Sequence, residues 1–217
     1  PEQAGYFSSA GGMGYLGIEG YPEDLSGSVF ICDVVGNLIH RNILTLNGGA
    51  YTALRSPTEK KSEFFASSDN HFRPIAVELG PDGALYSASW GSGKGFIFRF
   101  DTESEKDHHP ARSETKKRLG LSSKEQTIET LAMWLDSPDQ RVRMKAQFEL
   151  VRRGDLGLKA FEEKLNSGTL LGQLHAVWGI GMASRKDSSK LDLLRNAWTS
   201  KNAEVIAQAA KVSGDLG

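Results

Sequence analysis

The chain of 217 residues has one cysteine, Cys32. That excludes an internal disulfide, a cysteine-based metal cluster and the Cys-x-x-Cys-His attachment of a c-type haem. Charge of one sign is also lacking. The 26 basic and 27 acidic residues leave a formal charge of −1, with a pI near 6.6. Nothing in that balance points to nucleic acid or to a membrane surface. No apolar run is long enough to span a bilayer, and no leader pattern is present. Cys32 itself lies in the apolar run Val29-Phe30-Ile31-Cys32 and is expected to be a buried, inert thiol.

Glycine is what the chain has in quantity, concentrated before residue 100, as tight β-turns require. Within this half, Ile75, Val77 and Leu79 alternate with Ala76 and Glu78, the period-two pattern of a half-buried strand. Gly80-Pro81-Asp82-Gly83 then gathers four turn-favouring residues, with Asp82 as the turn's cap. Ala84 to Ser89 reads as the returning strand, and Phe96 to Phe100 as a third strand after the turn Gly91-Ser92-Gly93-Lys94-Gly95. That turn lacks both the spacing of a phosphate loop and a following helix, so it is read as a hairpin. Upstream, the same reasoning places strands at Ser28–Cys32, Leu38–Leu46 and Ala50–Leu54, with a hairpin at Asn47-Gly48-Gly49 and a short strand at Tyr15–Ile18. Residues 56–71 form a polar connection with one apolar anchor, Phe64-Phe65. Each antiparallel group looks like one blade of a β-propeller. Two blades cannot close a ring, so the chain is expected to be cut from a longer protein.

Three stretches carry a family resemblance: FRPIAVELGPDGALYSASW from Phe72 to Trp90, YPEDLSGSVFIC from Tyr21 to Cys32, and GNLIHR from Gly36 to Arg41. In this order they resemble the planctomycete and verrucomicrobial "membrane-bound dehydrogenase" family. Its members look like soluble pyrroloquinoline-quinone (PQQ) sugar dehydrogenases. The resemblance implies a six-bladed propeller, then HEAT-like helices, then often a c-type haem domain, which is absent here. It also implies a periplasmic or other extracytoplasmic location, a sugar or polyol substrate, and electron transfer to a c-type cytochrome domain.

The second half has helical periodicity. Ile128, Leu131, Ala132 and Leu135 follow i, i+3, i+4, i+7 spacing, and Val142, Ala146 and Leu150 an i, i+4, i+8 stripe. Ser137-Pro138-Asp139 breaks and recaps the helix, and Gly154 ends it. LAMWLDS ending at Ser137, FEEKLNS at Ser167 and RNAWTS at Ser200 mark a repeat of about 30 residues. The second helices of this repeat align at Ala146, Ala176 and Ala209. The expected organisation is therefore a multidomain β + α chain: a partial six-bladed propeller of about two blades over 1–103, a charged linker over 104–120, and a HEAT-like α-solenoid over 121–217. The linker contains His108-His109, read as polar rather than metal-binding.

Within the resemblance, Arg73 and Trp90 are the cofactor-binding candidates and His40 the catalytic one. A guanidinium fork at Arg73 suits the carboxylates of a quinone or an oxidised sugar; the alternative is a structural hydrogen bond to loop carbonyls. Trp90 offers a ring for stacking, or packs between blades. His40 is placed to take a proton from a sugar hydroxyl, or is a satisfied cross-strand partner. Calcium occurs in the related sugar dehydrogenases, but Asp82 alone is read as a turn cap and no metal ligand is assigned. His175 and Trp178 read as interior residues of the solenoid. One departure from the family stands out: Ser89 occupies the position of an expected carboxylate, and no arginine follows Trp90. The reading that follows is a quinone-dependent sugar or alcohol dehydrogenase; its rival is a non-catalytic glycan- or protein-binding scaffold.

Overall fold

The computed structural model describes residues 8–17, 25–47, 50–101 and 110–216. Tyr21 to Asp24, Gly48-Gly49, Ile18 and His108-His109, all named above, lie outside the described residues. The chain divides into two compact units, Pro1–Lys116 and Lys117–Gly217.

In the first unit, β1 (Ala10–Leu16), β2 (Ser28–Asp33), β3 (Leu38–Asn47) and β4 (Ala50–Arg55) form an antiparallel sheet in sequence order. The short β5 (Phe65–Ala66) pairs with the start of β3 at Leu38 and Ile39. A second antiparallel sheet contains β6 (Pro74–Leu79), β7 (Leu85–Gly91) and β8 (Lys94–Phe100). The core joins Leu16, Phe30, Cys32 and Ile39 of the first sheet to Phe72, Val77 and Leu85. Phe64 and Phe65 do anchor their connection: Phe64 packs edge-on against Phe30 at 4.7 Å, and Phe65 against Phe100 at 4.9 Å.

The strand expected at Tyr15–Ile18 instead runs over Ala10–Leu16. The physical reason is close approach to β6. A Cβ on Gly12 would sit 2.7 Å from Ala76 Cα, and one on Gly14 would sit 2.5 Å from the Val77 carbonyl oxygen. Glycine weakens a strand in isolation, yet it alone lets another backbone come this near.

Turn chemistry follows the residues. Ser92 and Gly93 both have positive φ, 50° and 75°, and form a two-residue hairpin loop between β7 and β8. Gly83, at φ 82°, closes the Gly80–Gly83 turn, where Gly83 N–H donates to the Gly80 carbonyl at 3.0 Å. Asp82 caps it, accepting from Ala84 N–H at 3.2 Å.

The charged stretch expected as a linker carries a helix, α1 (Pro110–Gly120). Sparse apolar content concealed it, because Arg112 rather than an apolar side chain is its buried anchor. Arg112 is 3 % exposed and bonds Asp101 and the Asp82 carbonyl.

The second unit contains α2 (Ile128–Trp134), α3 (Gln140–Arg152), α4 (Asp155–Ser167), α5 (Leu170–Ser184), a 3₁₀ stretch at Ser188–Thr199, and α6 (Ala203–Leu216). Caps set their starts. Thr127 accepts from Thr130 N–H, Asp139 from Arg141 N–H, and Thr169 from Gly172 N–H, each satisfying an otherwise orphaned donor. Gly154, at φ 62°, breaks the chain between α3 and α4. Ala146, Ala176 and Ala209 are all fully buried, on α3, α5 and α6 respectively. Asp136 accepts from Lys164 Nζ at 2.5 Å and from Thr169 N–H at 3.0 Å, tying the end of α2 to the α4–α5 turn. No described helix is long and apolar enough to cross a membrane.

Candidate functional site

Arg73 and Trp90 come together at one end of the second sheet. Trp90 N–H donates to the Arg73 carbonyl at 3.1 Å, and both side chains are exposed, Trp90 at 57 %. The neighbouring end of β8 adds Phe96, whose ring meets His71 edge-on at 5.6 Å. Gly91 lets the chain at His71 lie against this end, since a Cβ there would sit 2.5 Å from His71 Cα. An exposed guanidinium and an exposed indole on neighbouring residues are side-chain types that suit an anionic, flat ligand.

Ser89 lies buried beneath this corner at 2 % exposure. Its hydroxyl donates to the His71 carbonyl at 3.0 Å and accepts from Arg73 N–H at 2.5 Å. A hydroxyl does both; a carboxylate only accepts. Serine at this position therefore has a local structural reason.

His40 sits in the other sheet, on β3, and is 5 % exposed. Its Nδ1 lies 2.6 Å from Glu63 Oε2 and its Nε2 3.0 Å from Asn42 Oδ1. Both ring nitrogens are thus engaged. Glu63 also accepts from Arg55 at 2.8 Å, and the adjacent Arg41 donates to Glu59 at 2.8 Å and to Ser56 Oγ at 2.8 Å. Together these residues hold the 56–63 segment to the sheet.

Asp82 is similarly committed. It accepts from Tyr86 Oη at 2.9 Å and from Arg99 Nη2 at 3.1 Å. Burial raises the pKa of its carboxyl, but Tyr86, Ala84 N–H and Arg99 outweigh that and hold it below the usual range. Burial pushes the Cys32 thiol up to about 11, in keeping with an inert cysteine.

Two features escaped the sequence reading. Asp33, 1 % exposed, accepts from the backbone N–H groups of Ser8, Ser9, Val35 and Gly36. Burial opposes its ionisation, and the four donors prevail to lower its pKa. An aspartate three residues before a glycine at a strand end was the available signal. The other is a groove of about 750 Å³ in the helical unit, floored by His175 and Trp178, which the sequence placed simply in the interior.

The side-chain types at the Arg73–Trp90 corner fit the carboxylates and rings of a pyrroloquinoline quinone, but both side chains stand open to solvent, and the described contacts do not bring His40 to them.

The family described as "Domain of unknown function (DUF7133)" matches residues 1–92. No curated protein matches the chain. Among solved structures, the chain is similar to one titled "Crystal structure of glucose dehydrogenase" and one titled "glucose dehydrogenase". Each is 23 % identical over 44 % of this chain, with a TM-score of 0.28. The chain spans about a quarter of their length, 24 % and 26 % respectively.

Proposed function

We propose that this chain is part of a quinone-dependent sugar or alcohol dehydrogenase, in which Arg73 and Trp90 line one wall of the cofactor or substrate pocket. In this reading the two sheets are neighbouring blades of a six-bladed propeller, and the helical unit is a HEAT-like solenoid of three helix pairs. The glycine-mediated contact of β1 with β6 and the buried alanines at the repeat positions favour that arrangement. The observation that carries the functional reading is the Trp90–Arg73 juxtaposition: Arg73, which leads into β6, and Trp90 of β7, both exposed, are joined by a backbone hydrogen bond of 3.1 Å. PQQ, when bound, would accept hydride from a sugar hydroxyl carbon. Arg73 would hold its carboxylates and Trp90 would cover a ring face. His40 is engaged by Glu63 and Asn42, so in this reading the proton acceptor is another group. An extracytoplasmic location, calcium, and electron transfer to a c-type cytochrome domain belong to the same proposal.

The test is a PQQ titration, with dye-linked sugar oxidation, of the intact protein and its Arg73→Ala variant. Loss of a charge-assisted contact is expected to weaken binding by about 1.5–3 kcal/mol. Equal affinity and turnover would remove Arg73 from the site.

The second reading is a glycan- or protein-binding scaffold without turnover. The engagement of both His40 nitrogens favours it, because the histidine expected as the base then serves structure. Absence of PQQ binding by the intact protein would decide for this reading.

A further inference from the structure

The groove of the helical unit is lined by α3, α5 and α6, and its volume of about 750 Å³ falls among ligand-binding clefts, roughly 300–1,000 Å³. At its floor His175 is 2 % exposed, with Nδ1 2.7 Å from Gln147 Oε1. Gln147 uses its amide nitrogen to donate to Met182 Sδ at 3.2 Å. Its oxygen therefore accepts, and the His175 proton sits on Nδ1. Nε2 is left as an acceptor with no hydrogen bond among the described residues. Burial, together with the charge of Arg143, lowers the His175 pKa to about 4, so that lone pair is available at neutral pH.

The other polar groups on the floor are already committed. Trp178 Nε1 donates to Gln208 Oε1 at 3.1 Å, and Gln208 Nε2 donates to Glu204 at 2.9 Å. The walls are Met144, Phe148, Met182 and Val212, and thioethers adapt to varied apolar side chains. At the rim stand Arg185, Lys211 and Asp215, none of which makes an ion pair among the described residues. Two cations face one anion there, and Arg143 adds positive charge behind the floor.

We propose that this groove binds an extended acidic peptide segment of a partner protein. One apolar side chain enters between Met144, Phe148 and Met182, a backbone N–H donates to His175 Nε2, and flanking carboxylates meet Arg185 and Lys211. A peptide supplies these three chemistries at once: a donor for the His175 Nε2 lone pair, an apolar side chain for the walls, and negative charge for the rim. The inference rests on the helical unit alone, so its failure and the failure of PQQ binding are separate outcomes.

The experiment is selection of a displayed library of seven-residue peptides on the full chain, followed by anisotropy titration of the selected peptides. An Arg185→Glu/Lys211→Glu double variant, both positions exposed, serves as the comparison, with circular dichroism to confirm that it folds. Selected sequences are expected to carry Asp or Glu around one apolar residue. Their affinity should fall roughly tenfold or more on the double variant through like-charge repulsion. His175→Phe, which removes the acceptor, should weaken the same peptides. No enrichment, enrichment of basic or wholly polar sequences, or affinity unchanged in the folded double variant would overturn the proposal.

Discussion

Arg112 forks onto Asp101, with Nη1 2.9 Å from Oδ1 and Nη2 3.0 Å from Oδ2. Its Nε donates to the Asp82 carbonyl at 3.1 Å, and its side chain lies over Gly83, where a Cβ would meet Nε at 2.6 Å. The Gly80–Gly83 turn is therefore a seat for an arginine from α1 as well as a hairpin. Arg99 closes the cluster by bonding both Asp82 and Asp101.

Removing Arg112 takes from Asp101 its two-bond fork and from the Asp82 carbonyl its donor, while Arg99 still bonds Asp101. Arg112→Ala is expected to destabilise the first unit by about 1.5–3 kcal/mol, the range for lost hydrogen bonds to a charged group. Arg112→Lys should recover only part, because an ammonium cannot make the planar fork. Urea denaturation of the full chain, followed by circular dichroism at a β-sheet wavelength, would check both. A midpoint unchanged in Arg112→Ala would mean that the fork contributes nothing.

Gly14→Ala should be poorly tolerated. Its Cβ would stand 2.5 Å from the Val77 carbonyl oxygen, and a strand backbone cannot yield as a flexible side-chain end can. A loss of about 1–3 kcal/mol is expected, as for overpacking elsewhere. Thermal melts of wild type and variant measure it; wild-type stability would show that β1 and β6 do not pack this closely.

Ala146→Leu adds three carbons at a fully buried position of α3. It should lower the stability of the helical unit by about 1–3 kcal/mol. The same change at Ala176 and Ala209, also fully buried, should behave alike. A melting temperature that does not move at any of the three would break the proposed repeat.

His175 makes stability depend on pH. Its pKa falls from 6.5 to about 4 in the folded chain, so between these values the unfolded chain binds a proton that the folded chain does not. Stability is therefore lost as pH falls through that window and recovers above it, by about 3 kcal/mol at roughly 1.4 kcal/mol per pKa unit. Denaturation at pH 7 and pH 4 should show this loss, and His175→Gln should reduce it. An equal pH dependence in the variant would rule His175 out as the source.

Much of the secondary structure was legible locally. The alternation of Ile75, Val77 and Leu79 and the turn residues Pro81, Asp82 and Gly83 place β6, its turn and β7 within a residue or two of where they lie. The caps Asp139 and Gly154 bound α3 for the same reason: capping needs only neighbours in sequence. β1 and α1 were harder. The first is organised by Gly12 and Gly14 meeting a strand more than sixty residues on, and the second by Arg112 reaching Asp82, thirty residues back.

The candidate site shows the division most clearly. Residue type alone made Arg73, Trp90 and His40 candidates, because guanidinium, indole and imidazole chemistry belongs to the side chain wherever it sits. Only the tertiary structure decided which of them meet. Strand pairing sets Trp90 beside Arg73 with both side chains exposed, whereas Glu63 and Asn42 engage His40 at 2.6 and 3.0 Å. Likewise, spacing put His175 and Trp178 one helical turn apart. It took the approach of α3 to give His175 Nδ1 to Gln147, and of α6 to give Trp178 Nε1 to Gln208, because hydrogen bonds between distant residues depend on packing that period and propensity do not encode.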